Sequence, residues 1–132
     1  SKNGCLTLIM MDVDGFKQIN DTYGHFYGDG VLNAVADILK ASCKNSEAFL
    51  ARYGGDEFCI ALPAERGLDA FGLIARIQMN VTDWNAKHQE LKPISLSIGY
   101  AGWNPQQDLT YENLISRADQ MMYEVKNAKK CA

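Results

Sequence analysis

The chain has 132 residues, of which 47% are hydrophobic and 22% charged, and its formal net charge at pH 7 is −3. That length suits one domain with a single core and is too short for two. The composition is that of a soluble globular domain, and the negative charge argues against an unspecific nucleic-acid binder. The sequence has neither an apolar run that could span a bilayer nor a recognisable signal peptide. Its four cysteines are scattered without metal-ligand spacing, which favours reduced thiols in a cytoplasmic domain.

The first third of the chain predicts one strand followed by two helices. Cys5–Met11 is an almost continuous apolar run, typical of a strand buried on both faces, and the acidic loop Asp12–Gly15 follows it. Helical signals cover Phe16–Tyr23. After a break over Gly24–Tyr27, a second helix is expected from Gly28 onward.

Twin glycines in the middle of the chain predict a hairpin. Gly54 and Gly55 separate two strand-like runs, Ala48–Tyr53 and Phe58–Leu62. A primed hairpin turn needs positive φ angles, which glycine adopts most readily. The acids that follow the glycines, at positions 56 and 57, would then stand at a rigid tip that suits a hard metal ion. Taken alone, the stretch is more typical of a solvated turn carrying two surface acids than of a metal site.

The last part of the chain predicts a helix, a strand and a final helix. The helix covers Leu68–Lys87, the strand alternates over Ile94–Ala101, and the final helix begins at Thr110. The predicted order is therefore β-α-α-β-β-α-β-α. Hairpin strands combined with helical crossovers indicate an α/β (α+β) fold with a mixed central sheet flanked by helices.

Two acids in this pattern stand where a metal site could form. Asp12 follows the first strand and Asp56 lies at the hairpin tip, so they converge if these strands are neighbours. Two or three such oxygens suit Mg²⁺, which fills its other positions with water or phosphate. A calcium-binding EF-hand is excluded, because glycine falls at the fourth loop position instead of the sixth and Tyr23 replaces the bidentate glutamate.

Candidate phosphate-binding groups lie in two places. The sequence has no P-loop motif, so a phosphate cradle would come from the backbone N–H groups of Gly15, Phe16 and Lys17 at a helix N-terminus. Lys126 and Lys130 are four residues apart and share one face of the last helix. They are compatible with binding of a terminal phosphate and with simple stabilisation of a helix C-terminus by cations.

Asn20 and Asp29 flank the break between the first two helices. Separately they are compatible with a turn residue and an acid near a helix N-terminus. Together, an amide and a carboxylate can read guanine, because the carboxylate accepts hydrogen bonds from its ring N–H and exocyclic amine.

On four stretches the sequence resembles the GGDEF domain family, the diguanylate cyclases. The stretches are Asp12–Asp29, Arg52–Phe58, Ser95–Gly99 and Ala118–Lys126, in the family's order. The resemblance implies a nucleotide-cyclase-like fold in which residues 1–132 form a single GGDEF domain. It also implies that Mg²⁺ or Mn²⁺ supports the condensation of two GTP molecules into cyclic di-GMP, with release of two pyrophosphates.

The resemblance also implies residue roles. Asp12, Asp56 and the main-chain carbonyl of Val13 would bind the metal, and Glu57 would be a second metal ligand or a catalytic base near the 3′-hydroxyl. The backbone of Gly15, Phe16 and Lys17 would bind the β- and γ-phosphates. Asn20 and Asp29 would bind guanine. Lys126 and Lys130 would bind the terminal phosphate.

The family's catalytic unit consists of two domains face to face, so the resemblance implies a homodimer for turnover. The family's N-terminal helix is not found, and we expect a catalytic domain that was joined to an N-terminal sensor or dimerisation module. Membrane anchoring of such a full-length protein is compatible with this sequence, which itself carries no membrane segment.

Two departures from the family pattern affect the expected site. Asn45–Ala48 stands where the family has an Arg-x-x-Asp motif, so the product-inhibition site is predicted to be absent. Lys129 and Lys130 stand where the family has Gly-Arg. Lysine keeps the charge of arginine but cannot bind a phosphate in the same bidentate way.

Two other functions remain open at this point. One is a GTP-sensing domain that regulates an attached partner without turnover, which the Lys130 departure favours. The other is a cyclase of relaxed specificity that makes mixed or adenine dinucleotides. Relatives of that kind have a small hydroxyl residue at the position of Asp29, so the carboxylate argues against it.

Overall fold

The computed structural model describes residues 5–63, 67–104 and 110–130, without the side chains of residues 67–69. The predicted order of elements is confirmed in these ranges. They are β1 (Leu6–Val13), α1 (Phe16–Tyr23), α2 (His25–Cys43), β2 (Phe49–Arg52), β3 (Glu57–Pro63), α3 (Gly67–Lys87), β4 (Leu96–Trp103) and α4 (Tyr111–Lys130). None of the helices in the described residues combines the length and apolar character that a membrane crossing requires.

The four strands form one sheet in the order β2-β3-β1-β4. All three neighbouring pairs are antiparallel. The α+β class is confirmed, but the prediction of a mixed sheet is wrong. The helical crossovers join β1 to β2 and β3 to β4, and the two strands of each pair run in the same direction. They are not neighbours, however, because one antiparallel strand lies between them, as in a split βαβ arrangement.

The central strand β1 supplies both hydrophobic cores. Ile9, Met11 and Val13 point into the larger core with α2 and α3, while Leu8 and Met10 pack toward α4 on the other face. This confirms the prediction of a strand buried on both faces. The strand continues two residues beyond the predicted end, so it carries the carboxylate at position 12 inside the sheet.

The glycine-rich breaks differ from their predicted geometry. Gly24, with φ 91°, is the whole break between α1 and α2, and α2 begins at once with His25. Neither Gly54 nor Gly55 has a left-handed φ, so the predicted primed turn is wrong. Instead, the chain reverses its direction over residues 53–57. The Arg52 guanidinium donates hydrogen bonds to the carbonyl oxygens of both glycines.

Helix α4 lies unusually close to β4 because of one glycine. A Cβ atom at Gly99 would overlap the backbone nitrogen of Met122 and the carbonyl oxygen of Ala118. Real Cβ atoms do not approach backbone this closely, so only glycine permits the observed spacing. The close packing brings the last turn of α4 beside the end of β1.

Candidate active site

The sheet brings the two acidic segments together as the sequence predicts. β3 is a direct neighbour of β1, and Asp12 pairs with Glu57 across the two strands. The hairpin tip is also tied to β1, since the Val13 N–H donates a hydrogen bond to the carbonyl oxygen of Asp56 over 3.2 Å. The acids of the β1 end and of the hairpin tip therefore share one edge of the fold.

Asp12 is the most unusual acid in this group. The ammonium of Lys126 donates a hydrogen bond to its Oδ2 over 2.6 Å, but its Oδ1 is buried and has no hydrogen-bond partner among the described residues. Burial raises the pKa of Asp12, and the adjacent Asp56 carboxyl adds to the effect while Lys126 opposes it. The result is a pKa of about 6.

The oxygen of Asp12 that has no partner among the described residues indicates whether this site could bind a metal ion. A buried polar atom without a partner is costly, and a hard divalent cation between Asp12 and Asp56 would satisfy it. The residues therefore fit magnesium or manganese. The described residues contain no group of three or more His, Cys, Asp or Glu side chains arranged to hold a metal ion, so Glu57 does not join these two as a third ligand in this structure.

Glu57 faces a separate acidic cleft between the hairpin and α4. The cleft has a volume of about 380 Å³, and Tyr53, Glu112 and Asp119 also line it. Burial raises the pKa of Glu57, and repulsion from Asp119 and Asp56 raises it further. The side chain is therefore easier to protonate than an ordinary glutamate.

The second acid of the β1 loop, Asp14, bonds to neighbouring protein groups. Its carboxylate accepts hydrogen bonds from the hydroxyls of Ser95 and Ser97 and from the Lys129 ammonium at 2.7 Å. Burial alone raises the pKa of Asp14, but these three donors outweigh it, so the pKa is lowered. The sequence does not predict this cluster around Asp14, because nothing in the residue spacing links Lys129 to a loop more than 100 residues earlier.

The predicted phosphate cradle has the expected backbone form. Gly15 adopts a left-handed conformation, with φ 65°, at the start of α1, and none of the described side chains caps this helix. The Ile19 N–H bonds the Gly15 carbonyl, whereas the N–H groups of Phe16 and Lys17 lie in the first turn, where a helix offers no internal acceptor. This end of α1 is therefore open to an anion.

The predicted guanine-binding pair lies at the junction of α1 and α2. Asn20 is half-buried, and its Oδ1 has no hydrogen-bond partner among the described residues. A Cβ atom at Gly28 would overlap that oxygen, so Gly28 makes room for the amide. Asp29, which follows directly, is exposed. The structure thus places the two residues on neighbouring parts of one junction.

The two predicted phosphate-binding lysines differ in their surroundings. Lys126 is half-buried on Asp12, whereas Lys130 is exposed at the last residue of α4. Burial lowers the pKa of Lys126, but Asp12, Asp56 and Asp14 outweigh it and the net pKa is raised. Lys126 is therefore a firmly charged counter-ion in the free domain.

The sequence and the fold place this chain in a known family. The chain matches the family described as "Diguanylate cyclase, GGDEF domain" over residues 1–131. It belongs to that family, which confirms the resemblance seen in the sequence.

Curated relatives agree with this assignment. The chain is 36% identical over 126 residues to diguanylate cyclase A of Treponema denticola, which covers 95% of this chain and 33% of the relative. It is 39% identical over 123 residues to diguanylate cyclase DosC of Escherichia coli, covering 92% of this chain and 26% of the relative. The chain thus spans about a third or less of these relatives, whose remaining length contains other segments.

Solved structures show the same fold. The active GGEEF domain of a diguanylate cyclase from Vibrio cholerae superposes with a TM-score of 0.79 at 31% identity, covering 94% of this chain and 78% of that one. The GGDEF domain of DgcB from Caulobacter crescentus, solved in complex with c-di-GMP, gives a TM-score of 0.81 at 30% identity. It covers 94% of this chain and 73% of that one.

Proposed function

We propose that this domain is a diguanylate cyclase that condenses two GTP molecules into cyclic di-GMP and releases two pyrophosphates. The observation that carries the proposal is the carboxylate pair of Asp12 and Asp56, with its buried unpartnered oxygen, beside the uncapped N-terminus of α1. Family membership supports it, as does the c-di-GMP bound to the DgcB domain.

The reaction is a double phosphoryl transfer. The 3′-hydroxyl of one GTP attacks the α-phosphorus of the other, loses its proton and displaces pyrophosphate, and the same step in the opposite direction closes the ring. Catalysis of such transfers depends mainly on positioning and on charge neutralisation. Each domain would hold one GTP, so turnover requires a homodimer.

Asp12 and Asp56, with the main-chain carbonyl of Val13, are the proposed ligands of Mg²⁺ or Mn²⁺. When bound, the metal neutralises charge on the triphosphate and lowers the pKa of the attacking hydroxyl. Glu57 is proposed to serve as a base near that hydroxyl or as a second metal ligand. Its raised pKa, together with the lack of a three-acid metal group among the described residues, supports the role of base.

The phosphates are proposed to bind between α1 and α4. The backbone N–H groups of Gly15, Phe16 and Lys17 hold the β- and γ-phosphates, as the uncapped helix end allows. Lys126 and Lys130 bind the terminal phosphate. Lys126 neutralises Asp12 in the free domain, and its ammonium is therefore close enough to move from Asp12 to a bound phosphate.

Guanine is proposed to bind at the junction of α1 and α2. The unpartnered Asn20 amide oxygen accepts a hydrogen bond from the base, and the Asp29 carboxylate accepts from its ring N–H and amine. Because adenine does not present this pair of donors, GTP is preferred over ATP.

GTP is a cytoplasmic nucleotide, so we place the domain in the cytoplasm. We propose that an N-terminal module of the full-length protein brings two copies of the domain together.

Product analysis tests the proposal. Full-length protein incubated with GTP and Mg²⁺ should form cyclic di-GMP and two pyrophosphates per product, and the rate per domain should rise with protein concentration. Asp56→Asn should abolish the product, whereas Asp83→Asn, at an exposed acid on α3, should not. Product formation that is absent from the wild type, or that survives Asp56→Asn, contradicts the proposal.

One observation favours a second candidate, a GTP-binding regulatory domain without turnover. The Lys126 ammonium already neutralises Asp12, and among the described residues no third acid joins the pair to form a metal site. A domain of this kind binds GTP with micromolar or better affinity but forms no cyclic dinucleotide at any protein concentration. Measuring GTP binding beside product formation separates the two functions.

A further inference from the structure

The C-terminal part of α4 contacts the end of β1 and the β1 loop, the residues 14–15 that follow this strand, through two lysines. Lys126 pairs with Asp12, in the strand, at 2.6 Å, and about one helical turn later Lys129 pairs with Asp14, in the loop, at 2.7 Å. Residues three apart lie on one side of a helix. Both lysines therefore reach the end of β1 and its loop from the same face of α4.

The ammonium of Lys129 is held more firmly than an ordinary surface ion pair. It donates to Asp14 Oδ2 at 2.7 Å, to the Leu96 carbonyl oxygen at 2.7 Å and to the Ser95 hydroxyl at 3.3 Å. An ammonium group has three N–H donors, and all three have acceptors here. An isolated exposed pair contributes little to stability, but this group joins α4, the β1 loop and the start of β4.

The two lysines have different tasks if the proposed reaction takes place. Lys126 must leave Asp12 to bind the terminal phosphate, and this removes the ion pair between α4 and the end of β1 while the pair between α4 and the β1 loop remains. Lys129 has no proposed phosphate, and its acceptors all belong to the protein. Its contacts therefore persist when Lys126 moves.

We propose that Lys129 is a positioning residue for GTP binding: it anchors the end of α4 to the β1 loop while Lys126 transfers from Asp12 to the terminal phosphate. This inference rests on the proposed function for its substrate. The family pattern has glycine at this position, so the anchor is a feature of this chain.

Amide hydrogen exchange tests the anchor without any ligand. Lys129→Met removes the ammonium and keeps a side chain of similar length. We expect exchange of the amides of Val13 and Asp14, which donate hydrogen bonds to the carbonyls of Asp56 and Ser95, to accelerate about tenfold or more, since charge-assisted hydrogen bonds fix the loop. Lys40→Met, a change in the last turn of α2, is the matched control and should leave these amides unchanged. Unchanged exchange in Lys129→Met overturns the inference.

Affinity for 3′-deoxy-GTP, which lacks the attacking hydroxyl, tests the role in binding. With Mg²⁺ present, Lys129→Met should weaken binding about tenfold, and Lys129→Arg should recover most of the loss because arginine also donates to carboxylate and carbonyl. A purely structural role would lower the melting temperature but leave affinity well below that temperature unchanged. Affinity within twofold of the wild type in Lys129→Met overturns the positioning role.

A double-mutant cycle identifies the partner. Asp14→Asn and Lys129→Met should each accelerate loop exchange, and the effect of the double variant should be smaller than the two single effects combined, because both changes remove the shared Lys129–Asp14 contact. Fully additive effects contradict an anchor through Asp14. If the wild type binds no 3′-deoxy-GTP while the exchange results hold, the proposed function fails and the positioning role with it, but the anchor itself remains.

Discussion

The Lys126 ammonium and the Asp12 carboxylate form an ion pair of 2.6 Å at the centre of the candidate site. The protein thus places its own cation on the acid that is the proposed metal ligand. The second oxygen of that acid is buried and has no hydrogen-bond partner in the described part of the chain. The site is therefore only half neutralised, and a metal and a lysine compete for the same carboxylate.

Lys126→Met should reveal this competition by opposite effects on two ligands. Removing the ammonium frees Asp12, so Mn²⁺ binding without nucleotide should strengthen several-fold at about pH 8, where the carboxylate is ionised. Binding of 3′-deoxy-GTP should weaken, because a proposed phosphate contact is lost. Paramagnetic resonance of free Mn²⁺ measures the first effect, and Lys87→Met is the control. A loss of Mn²⁺ affinity in Lys126→Met would contradict the competition.

The pKa of Asp12 predicts how metal binding depends on pH. The folded protein holds this proton up to about pH 6, whereas the unfolded chain releases it near pH 4. Asp12 therefore lowers the free energy of unfolding as the pH rises from about 4 to about 6. A metal binds only the ionised carboxylate, so metal binding raises the free energy of unfolding as the pH rises through this range.

Thermal unfolding with and without MgCl₂ measures the dependence. The rise in melting temperature caused by Mg²⁺ should be small at about pH 5 and should grow through about pH 6 to a plateau. Asp12→Asn should abolish this rise. A magnesium effect that is equally large at about pH 5 would show that Asp12 is not the titrating ligand.

Gly99→Ala should destabilise the fold because α4 leaves no room for a methyl group. The new Cβ would overlap the backbone of Met122 and Ala118, which cannot move without shifting the helix. We expect the free energy of unfolding to fall by about 3 kcal/mol, as measured by denaturant titration. Gly102→Ala, in the same strand with open space around it, is the matched control. Equal costs for the two changes would refute the close contact.

Gly28→Ala should affect ligand binding more than stability. The new methyl group would meet the amide of Asn20, a side chain that can turn away, so unfolding should change by less than about 1 kcal/mol. The displaced amide should weaken 3′-deoxy-GTP binding about tenfold. Gly30→Ala has open space and should stabilise α2 by up to about 1 kcal/mol without loss of affinity. Wild-type affinity in Gly28→Ala would argue against Asn20 as a guanine ligand.

Much of the fold is visible in the sequence because each element has its own periodicity. The apolar run before Asp12 predicts the buried strand, and α1 begins and ends as predicted at Phe16 and Tyr23. Strand direction is not a local property. The hairpin and crossovers are compatible with several sheet orders, and only long-range packing places β1 between β3 and β4. For this reason the mixed sheet was a wrong prediction.

The candidate site is predictable where motif and topology agree. Asp12 and Asp56 converge because neighbouring strands carry them, and this follows once β1 and β3 are taken as neighbours. Side-chain partnerships across more than 100 residues do not follow from spacing. The pairing of Lys129 with Asp14 depends on how closely α4 approaches β4, which Gly99 determines through tertiary contact.

The central claim is that Asp12 and Asp56 together hold one divalent metal on bound GTP. The most direct test is the gain in affinity for 3′-deoxy-GTP when Mg²⁺ replaces EDTA, measured for the wild type, Asp12→Asn, Asp56→Asn and the double variant. The account predicts a gain of about 100-fold or more in the wild type and the same small gain in all three variants, because one shared metal is lost in each. A single variant that keeps the wild-type gain would contradict it.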